Sequence, residues 1–138
     1  ICDVPPGWQP VFFGMCEEIK TFLENENVNP KLLVFDQVKE KYGELRIYHH
    51  FNEDEEDGGQ VVPSFVKESV SDMIDSCCSK TKDICFKCGK AANWLSTGWI
   101  LPHCTKCATE WNDNANQRYG KNEPLEKSFR RIHHEIPS

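Results

Sequence analysis

Apolar residues recur at helical spacing in two long stretches of this chain and alternate with polar ones in a third. After the rigid entry Pro5-Pro6-Gly7-Trp8-Gln9-Pro10, residues Phe12, Met15, Cys16, Ile19, Phe22 and Leu23 fall at i, i+3, i+4, i+7, i+10 and i+11. That is the buried stripe of an amphipathic helix, predicted over about 10–25. Pro10 suits the first turn, where its fixed φ is already helical and its missing N–H would have had no partner. Trp8 is expected to pack over the helix start. The breaker cluster Asn25-Glu26-Asn27-Val28-Asn29-Pro30 ends the helix. Leu32 to Phe35 reads as a short strand, and 37–42 either continues it or forms one helical turn, since periodicity does not decide. Beyond Gly43, residues Leu45, Ile47, His49 and Phe51 alternate with Arg46, Tyr48 and His50, the pattern of a strand with one buried face. Antiparallel pairing of about 32–38 with 45–51 follows.

A second helix starts at Pro63-Ser64, with Ser64 as the expected cap and Val66, Val70, Met73, Ile74 and Cys77 as its stripe. Asp75 and Lys67 stay on its outer side. Two short apolar stretches around Ser96-Thr97-Gly98 predict a small hairpin within 91–102. From Cys104, residues Ala108, Trp111, Ala115 and Arg118 or Tyr119 recur at helical spacing, and Gly120 suits the position just past a helix end. In the tail, Leu125, Phe129, Ile132 and Ile136 share one possible helical face beside Arg130 and Arg131. Whether that face docks on the body or awaits a partner is open.

The chemistry is concentrated between these last elements. Cys85-Phe86-Lys87-Cys88-Gly89 is answered, fifteen residues after Cys88, by Cys104-Thr105-Lys106-Cys107. Two C-x2-C pairs at this separation read as a four-thiolate site for one zinc ion, because each pair curls its backbone around one side of a tetrahedral ion. A disulfide or a redox C-x-x-C would not call for the second pair. Four thiolates close the coordination sphere, so the zinc is expected to be structural. His103 adjoins the site and could replace one thiol, although four already suffice; His49, His50, His133 and His134 read as surface or satisfied histidines. Trp94 and Trp99 are expected to cover the zinc unit. A knuckle, a hairpin and a helix whose first turn brings the last ligands resemble a treble-clef finger. The expected fold is therefore α+β: a small antiparallel sheet, two amphipathic helices and a C-terminal treble-clef-like zinc finger with four cysteine ligands. The 138 residues suit a single domain, with an α+β portion over 1–80, the finger over 81–120 and a basic tail over 121–138.

Charge narrows the function classes. Residues 1–76 hold 6 Lys and Arg against 16 Asp and Glu, net −10, whereas residues 77–138 hold 10 against 6, net +4. A four-thiolate zinc centre carries a formal charge of about −2 of its own, so the basic half is weakly basic and the acidic half would repel a phosphate backbone. The acidic loop over 52–59, with Glu53, Asp54, Glu55, Glu56 and Asp57 in succession before two glycines, reads as exposed, lacks the alternate-position oxygens of a calcium loop, and is the candidate site for a basic partner surface. Lys87, Lys90, Lys106, Arg118 and Trp99 form the alternative, a nucleic-acid surface on the finger. No Ser-His-Asp, Cys-His or paired-carboxylate constellation and no phosphate-binding glycine loop stands out, so no catalytic residue is assigned. No apolar run approaches a membrane span. Of the eight cysteines, four have metal spacing, Cys77 and Cys78 are poor partners for each other, and Cys2 and Cys16 can be small buried hydrophobes, which favours a reducing, cytoplasmic setting. The chain opens at Ile1, which leaves a removed leader open.

Three separated motifs, Gly7-Trp8-Gln9-Pro10, then Lys39 to Tyr48 (KEKYGELRIY), then Cys85-x2-Cys88-Gly89 with Gly98-Trp99 and Cys104-x2-Cys107, together resemble a group of small bacterial and phage zinc-binding proteins of unassigned function. The resemblance spans about residues 7 to 110; the acidic insert and the tail beyond Tyr119 depart from it. It implies a zinc-bound α+β domain of prokaryotic or phage origin in an intracellular setting, and carries no catalytic residues. The expected function is macromolecular recognition without catalysis, by binding a basic partner protein as immunity proteins and phage inhibitors of host defence do. Nucleic-acid binding and an enzyme with an unrecognised site are the alternatives.

Overall fold

A computed structural model describes residues 4–53 and 60–132. Cys2, His133, His134 and Ile136 lie outside the described residues. Among the described residues the architecture is α+β, with three α-helices and two small antiparallel sheets. Helix α1 (Gln9–Asn25) follows a 3-10 turn at Pro6–Trp8. Its expected stripe is the buried one, with Phe12, Met15, Ile19 and Leu23 inside. The helix ends in a Schellman arrangement: Asn27 takes φ 58°, its N–H reaches Glu24 O, and the Val28 N–H reaches Leu23 O at 2.8 Å. Asparagine tolerates that left-handed conformation better than most residues.

Strands β1 (Leu33–Lys41) and β2 (Glu44–Phe51) pair antiparallel from Leu33↔Phe51 to Lys41↔Glu44. The ambiguous stretch 37–42 thus continues the strand. Asp36 is a bulge between Phe35↔His49 and Gln37↔Tyr48, and its carboxylate holds His50 Nδ1 at 2.8 Å. The extra residue resets which side chains of β1 face inward, and that is why a simple alternation is illegible there. The two-residue turn Tyr42-Gly43 has φ of 53° and 82°, the paired positive values of a tight type I′ hairpin turn.

Helix α2 (Ser64–Thr81) buries Val66, Val70, Ile74, Cys77, Cys78 and Thr81 against α1 and β2. Ser64 is not its cap. Pro63 occupies that position, with its carbonyl accepting from the Val66 and Lys67 N–H groups, and no side chain caps the turn. The main core joins Trp8, Phe12, Ile19 and Leu23 of the first helical segment to Leu45, Val66, Val70 and Ile74, with Phe35 and Phe86 at its edge. Trp8 is fully buried there, as expected for a residue over the start of α1.

The second sheet has the order β4-β3-β5, built from β3 (Trp94–Ser96), β4 (Pro102–His103) and β5 (Phe129–Arg131). The predicted hairpin is β3 and β4. Helix α3 (Thr105–Tyr119) follows at once and stops at Gly120, φ 62°. The possible helical face of the tail is not realised among the described residues. After a 3-10 turn at Leu125–Lys127 the tail lies as β5 on the open edge of β3. Phe129 thereby enters a small second core with Trp94, Ala108 and Leu125; burying that ring and pairing a strand edge outweigh the tail's helical periodicity. Asn112 and Asn116 of α3 fix the approach by donating to the Glu123 carbonyl at 3.1 and 3.0 Å. No helix of the described residues is long and apolar enough to cross a membrane.

One buried hydroxyl ties the main sheet to α2. Thr81, fully buried, accepts the Leu45 N–H at 2.9 Å and donates to the Cys78 carbonyl at 2.6 Å. Thr81→Val keeps the shape but strands the Leu45 N–H away from water. It is expected to cost about 1–3 kcal/mol, read as a lower urea midpoint with an unchanged denaturant slope.

Candidate metal centre

The centre begins with a tight turn in the chain after α2. Cys85 N–H donates to the Lys90 carbonyl at 2.7 Å, and Gly89 N–H donates to the Cys85 carbonyl at 3.0 Å. Closing that turn puts Gly89 at φ 84°, a conformation costly for any residue with a Cβ. Cys85 and Cys88 are thereby aimed to one side. The other pair comes from α3, where Cys104 is the cap residue and its sulfur accepts the Cys107 N–H at 3.4 Å. A helix start favours negative charge, which suits thiolate ligands on a bound cation.

The structure brings Cys85, Cys88, Cys104 and Cys107 together, with all four sulfurs within 4.8 Å of one another. The Cys88 and Cys104 sulfurs are 3.5 Å apart. Thiolates at about 2.3 Å around a tetrahedral zinc ion lie roughly 3.8 Å from each other, so the set fits one such cation. Cys85, Cys104 and Cys107 are buried and Cys88 is exposed. Burial, followed by contacts from the Cys104, Cys85 and Cys88 sulfurs, pushes the Cys107 thiol far above its ordinary value. A coordinated dication inverts this balance, because it deprotonates a ligand thiol outright.

The N-terminal turn is seated directly on this knuckle. Gly7 N–H donates to the Phe86 carbonyl at 2.7 Å, and the Trp8 indole N–H donates to the Ile84 carbonyl at 2.8 Å. A Cβ on Gly7 would overlap the Cys85 carbonyl oxygen and come within 2.7 Å of Gly89 N. The Phe86 N–H in turn donates to the Pro102 carbonyl at 3.0 Å, which links the knuckle to β4.

His103 does not join the cluster. Its Nδ1 lies 2.9 Å from the Leu101 carbonyl, and its ring stands edge-on between Phe86 and Phe129, each centroid 4.8 Å away. Burial holds its pKa below the ordinary value. Trp94 packs beside the centre in the second core and donates to Thr105 Oγ1 at 3.2 Å. Trp99 does not cover the cysteine cluster as expected. It is 74% exposed and reaches the other way, its indole N–H donating to Glu40 of β1 at 3.1 Å.

The two candidate surfaces from the sequence are rearranged accordingly. Of the nucleic-acid set, Lys87 and Arg118 line one groove between the knuckle and α3, whereas Trp99 lines a different hollow with Glu40, Lys41 and Tyr42. Lys90 lies in the knuckle turn and Lys106 in the first turn of α3, both exposed. Of the acidic set, Asp54, Glu55, Glu56 and Asp57 lie outside the described residues. Glu53 is engaged internally, accepting from Val62 N–H at 2.7 Å and from Lys67 at 3.0 Å, bonds that hold its carboxyl below the ordinary range. Sequence reasoning passed over Tyr42 as a surface residue and Trp111 and Tyr119 as groove walls. Helical spacing alone cannot separate a core stripe from one that borders a cleft. Comparison with protein-family models, with curated proteins and with solved structures finds no match to the chain.

Two substitutions test the centre. Cys88→Ala is expected to lose stoichiometric metal and, with it, the cooperative melting of the C-terminal unit, because metal-binding energy here is folding energy; metal content by mass spectrometry and a calorimetric scan report both. Gly7→Ala leaves all four ligands in place, yet is expected to destabilise by roughly 1–3 kcal/mol, since backbone and not a pliant side chain must give way. It should also speed metal release to a chelator.

Proposed function

We propose that this chain is a recognition protein without chemistry of its own, which docks on a basic partner protein and is held in shape by one structural zinc. In this reading Cys85, Cys88, Cys104 and Cys107 form a treble-clef-like finger. Four thiolate ligands leave zinc no open position for water or substrate, so the metal would organise and not catalyse. The buried Cys77 and Cys78 thiols, pushed up to about 11 chiefly by burial, are inert at neutral pH. They suit the reducing bacterial or phage-infected cytoplasm that the motif resemblance implies.

One observation carries the docking reading: two exposed aromatics from distant parts of the chain meet at the tip of the β1–β2 hairpin. Tyr42 is 73% exposed at a positive φ, and Trp99 lies across the same hollow with Ile100. A tyrosine in the left-handed region costs roughly 1–2 kcal/mol relative to an ordinary backbone conformation. With the ring in solvent, little burial inside the protein offsets that cost. Strain kept in an exposed aromatic fits a surface that acts on something outside. Trp99 is tethered through Glu40, so less freedom is lost when it is covered. Tryptophan and tyrosine are also the side chains that most often dominate a protein interface. The net −10 of residues 1–76 sets the sign of the partner, since complementary charge speeds encounter.

Tyr42→Asn separates docking from folding. Asparagine relieves the turn, so the variant is expected to be more stable by about 0.5–1 kcal/mol while retaining at least tenfold less partner. Trp99→Ala should lose partner without a gain in stability. Recovery from the native host by native mass spectrometry, wild type against both variants, gives the readout. The reading stands on a basic protein bound stoichiometrically by wild type alone, and it falls if only neutral or acidic proteins are recovered or if both variants retain the partner fully.

A further inference from the structure

A second surface, sharing no residue with the hairpin tip, carries a different chemistry. A groove of about 460 Å³ runs between the cysteine knuckle and α3, walled by Phe86, Lys87, His103, Trp111, Arg118 and Tyr119. Its volume lies within the range of ligand-binding clefts. Lys87 and Arg118 line it, as does Cys107 of the sulfur cluster, and among the described residues no carboxylate does; Glu110 and Asp113 of the same helix do not line it. Trp111 is half exposed, and its ring is braced edge-on against Phe129 at 5.4 Å. Tyr119 is 66% exposed, with the Arg118 guanidinium 5.7 Å over its ring. At the back, His103 is 5% exposed; its Nδ1 is engaged by the Leu101 carbonyl, which leaves Nε2 as an acceptor in the neutral ring.

We propose that this groove binds single-stranded nucleic acid, with a base stacked on Trp111 or Tyr119 and the flanking phosphates held by Lys87 and Arg118. Two features select that occupant. The braced, half-exposed Trp111 ring offers a flat face to any base, and base stacking on aromatics tolerates sequence. Lys87 and Arg118 line the same groove, as cations must to hold the phosphates on either side of a stacked base. Duplex DNA is a poor fit, because it does not present an unstacked base, and the net −10 of residues 1–76 works against a second phosphate backbone.

The test is fluorescence anisotropy of the metal-loaded full chain with a labelled single strand of about eight mixed nucleotides, in DNA and RNA forms, beginning near 50 mM salt. Binding is expected for at least one form, with quenching of tryptophan fluorescence and affinity falling with salt at a log–log slope of about −1.4 for two phosphate contacts. Arg118→Gln with Lys87→Gln should lower affinity by tenfold or more and flatten that slope. Trp111→Ala should lower affinity by roughly tenfold. Since Trp111 also touches Phe129, the charge variant, checked for unchanged metal content and melting, keeps the test independent of folding. Trp99→Ala should bind the strand like wild type. The proposal is overturned by any of three results: no binding of either form near 50 mM salt, unchanged binding in the charge variant, or equal competition by a glutamate-rich peptide. Because the hairpin tip shares nothing with this groove, loss of strand binding leaves the partner-docking reading intact, and the reverse holds too.

Discussion

The seating of Gly7 on the cysteine knuckle is the contact on which the rest of the structure depends. Its N–H bonds to Phe86 O, the neighbouring Trp8 indole bonds to Ile84 O, and the approach is so close that no Cβ fits. Trp8 is at the same time the largest fully buried side chain of the main core. One short turn thus belongs both to the hydrophobic body and to the wall of the metal centre. A zinc finger on a flexible tether could lose its ion without consequence for its neighbour. Here the knuckle backbone is a surface against which α1 starts, and the two halves share a boundary that has to keep its shape.

The same boundary organises the two exposed surfaces. The β1–β2 turn lies under the loop joining β3 to β4, with the place of a Cβ on Gly43 only 3.4 Å from Ile100. Ser96 braces that loop by accepting the Leu101 N–H and donating to the Trp99 carbonyl. Trp99 therefore stands beside Tyr42 through packing between the two sheets, neither of which is large enough to position it alone. Beside the knuckle, β4 and α3 set the groove. The second core of Trp94, Ala108 and Phe129 is its rigid backing, and β5 supplies the phenylalanine that braces both His103 and Trp111. The tail strand thus has a structural consequence beyond its three residues.

Charge and metal work in one direction. Without a cation, burial first and the neighbouring sulfurs second disfavour the charged form of Cys107, so the cluster resists holding four thiolates unaided. A dication would reverse that locally and leave the long-range acidity of residues 1–76 in place. Recognition by field and by aromatic contact requires no open coordination site, so a closed centre is consistent with such a role.

By itself the sequence determined what depends on local periodicity and spacing. The stripe from Phe12 to Leu23, the alternation from Leu45 to Phe51 and the run from Val66 to Cys77 became the elements they predict, because each buries one face with a fixed period. Two C-x2-C pairs likewise led to one cluster, since tetrahedral coordination leaves few arrangements for four sulfurs. What needed the tertiary structure was every contact between residues far apart in the chain. Phe129 left a helical pattern for a strand because β3 had an open edge and Trp94 an uncovered face. Trp99 turned away from the metal towards Glu40, and Trp111 became a groove wall. Spacing records which face of an element is apolar, but which neighbour covers that face is decided by packing, and packing alone left Tyr42, Trp99 and Trp111 uncovered.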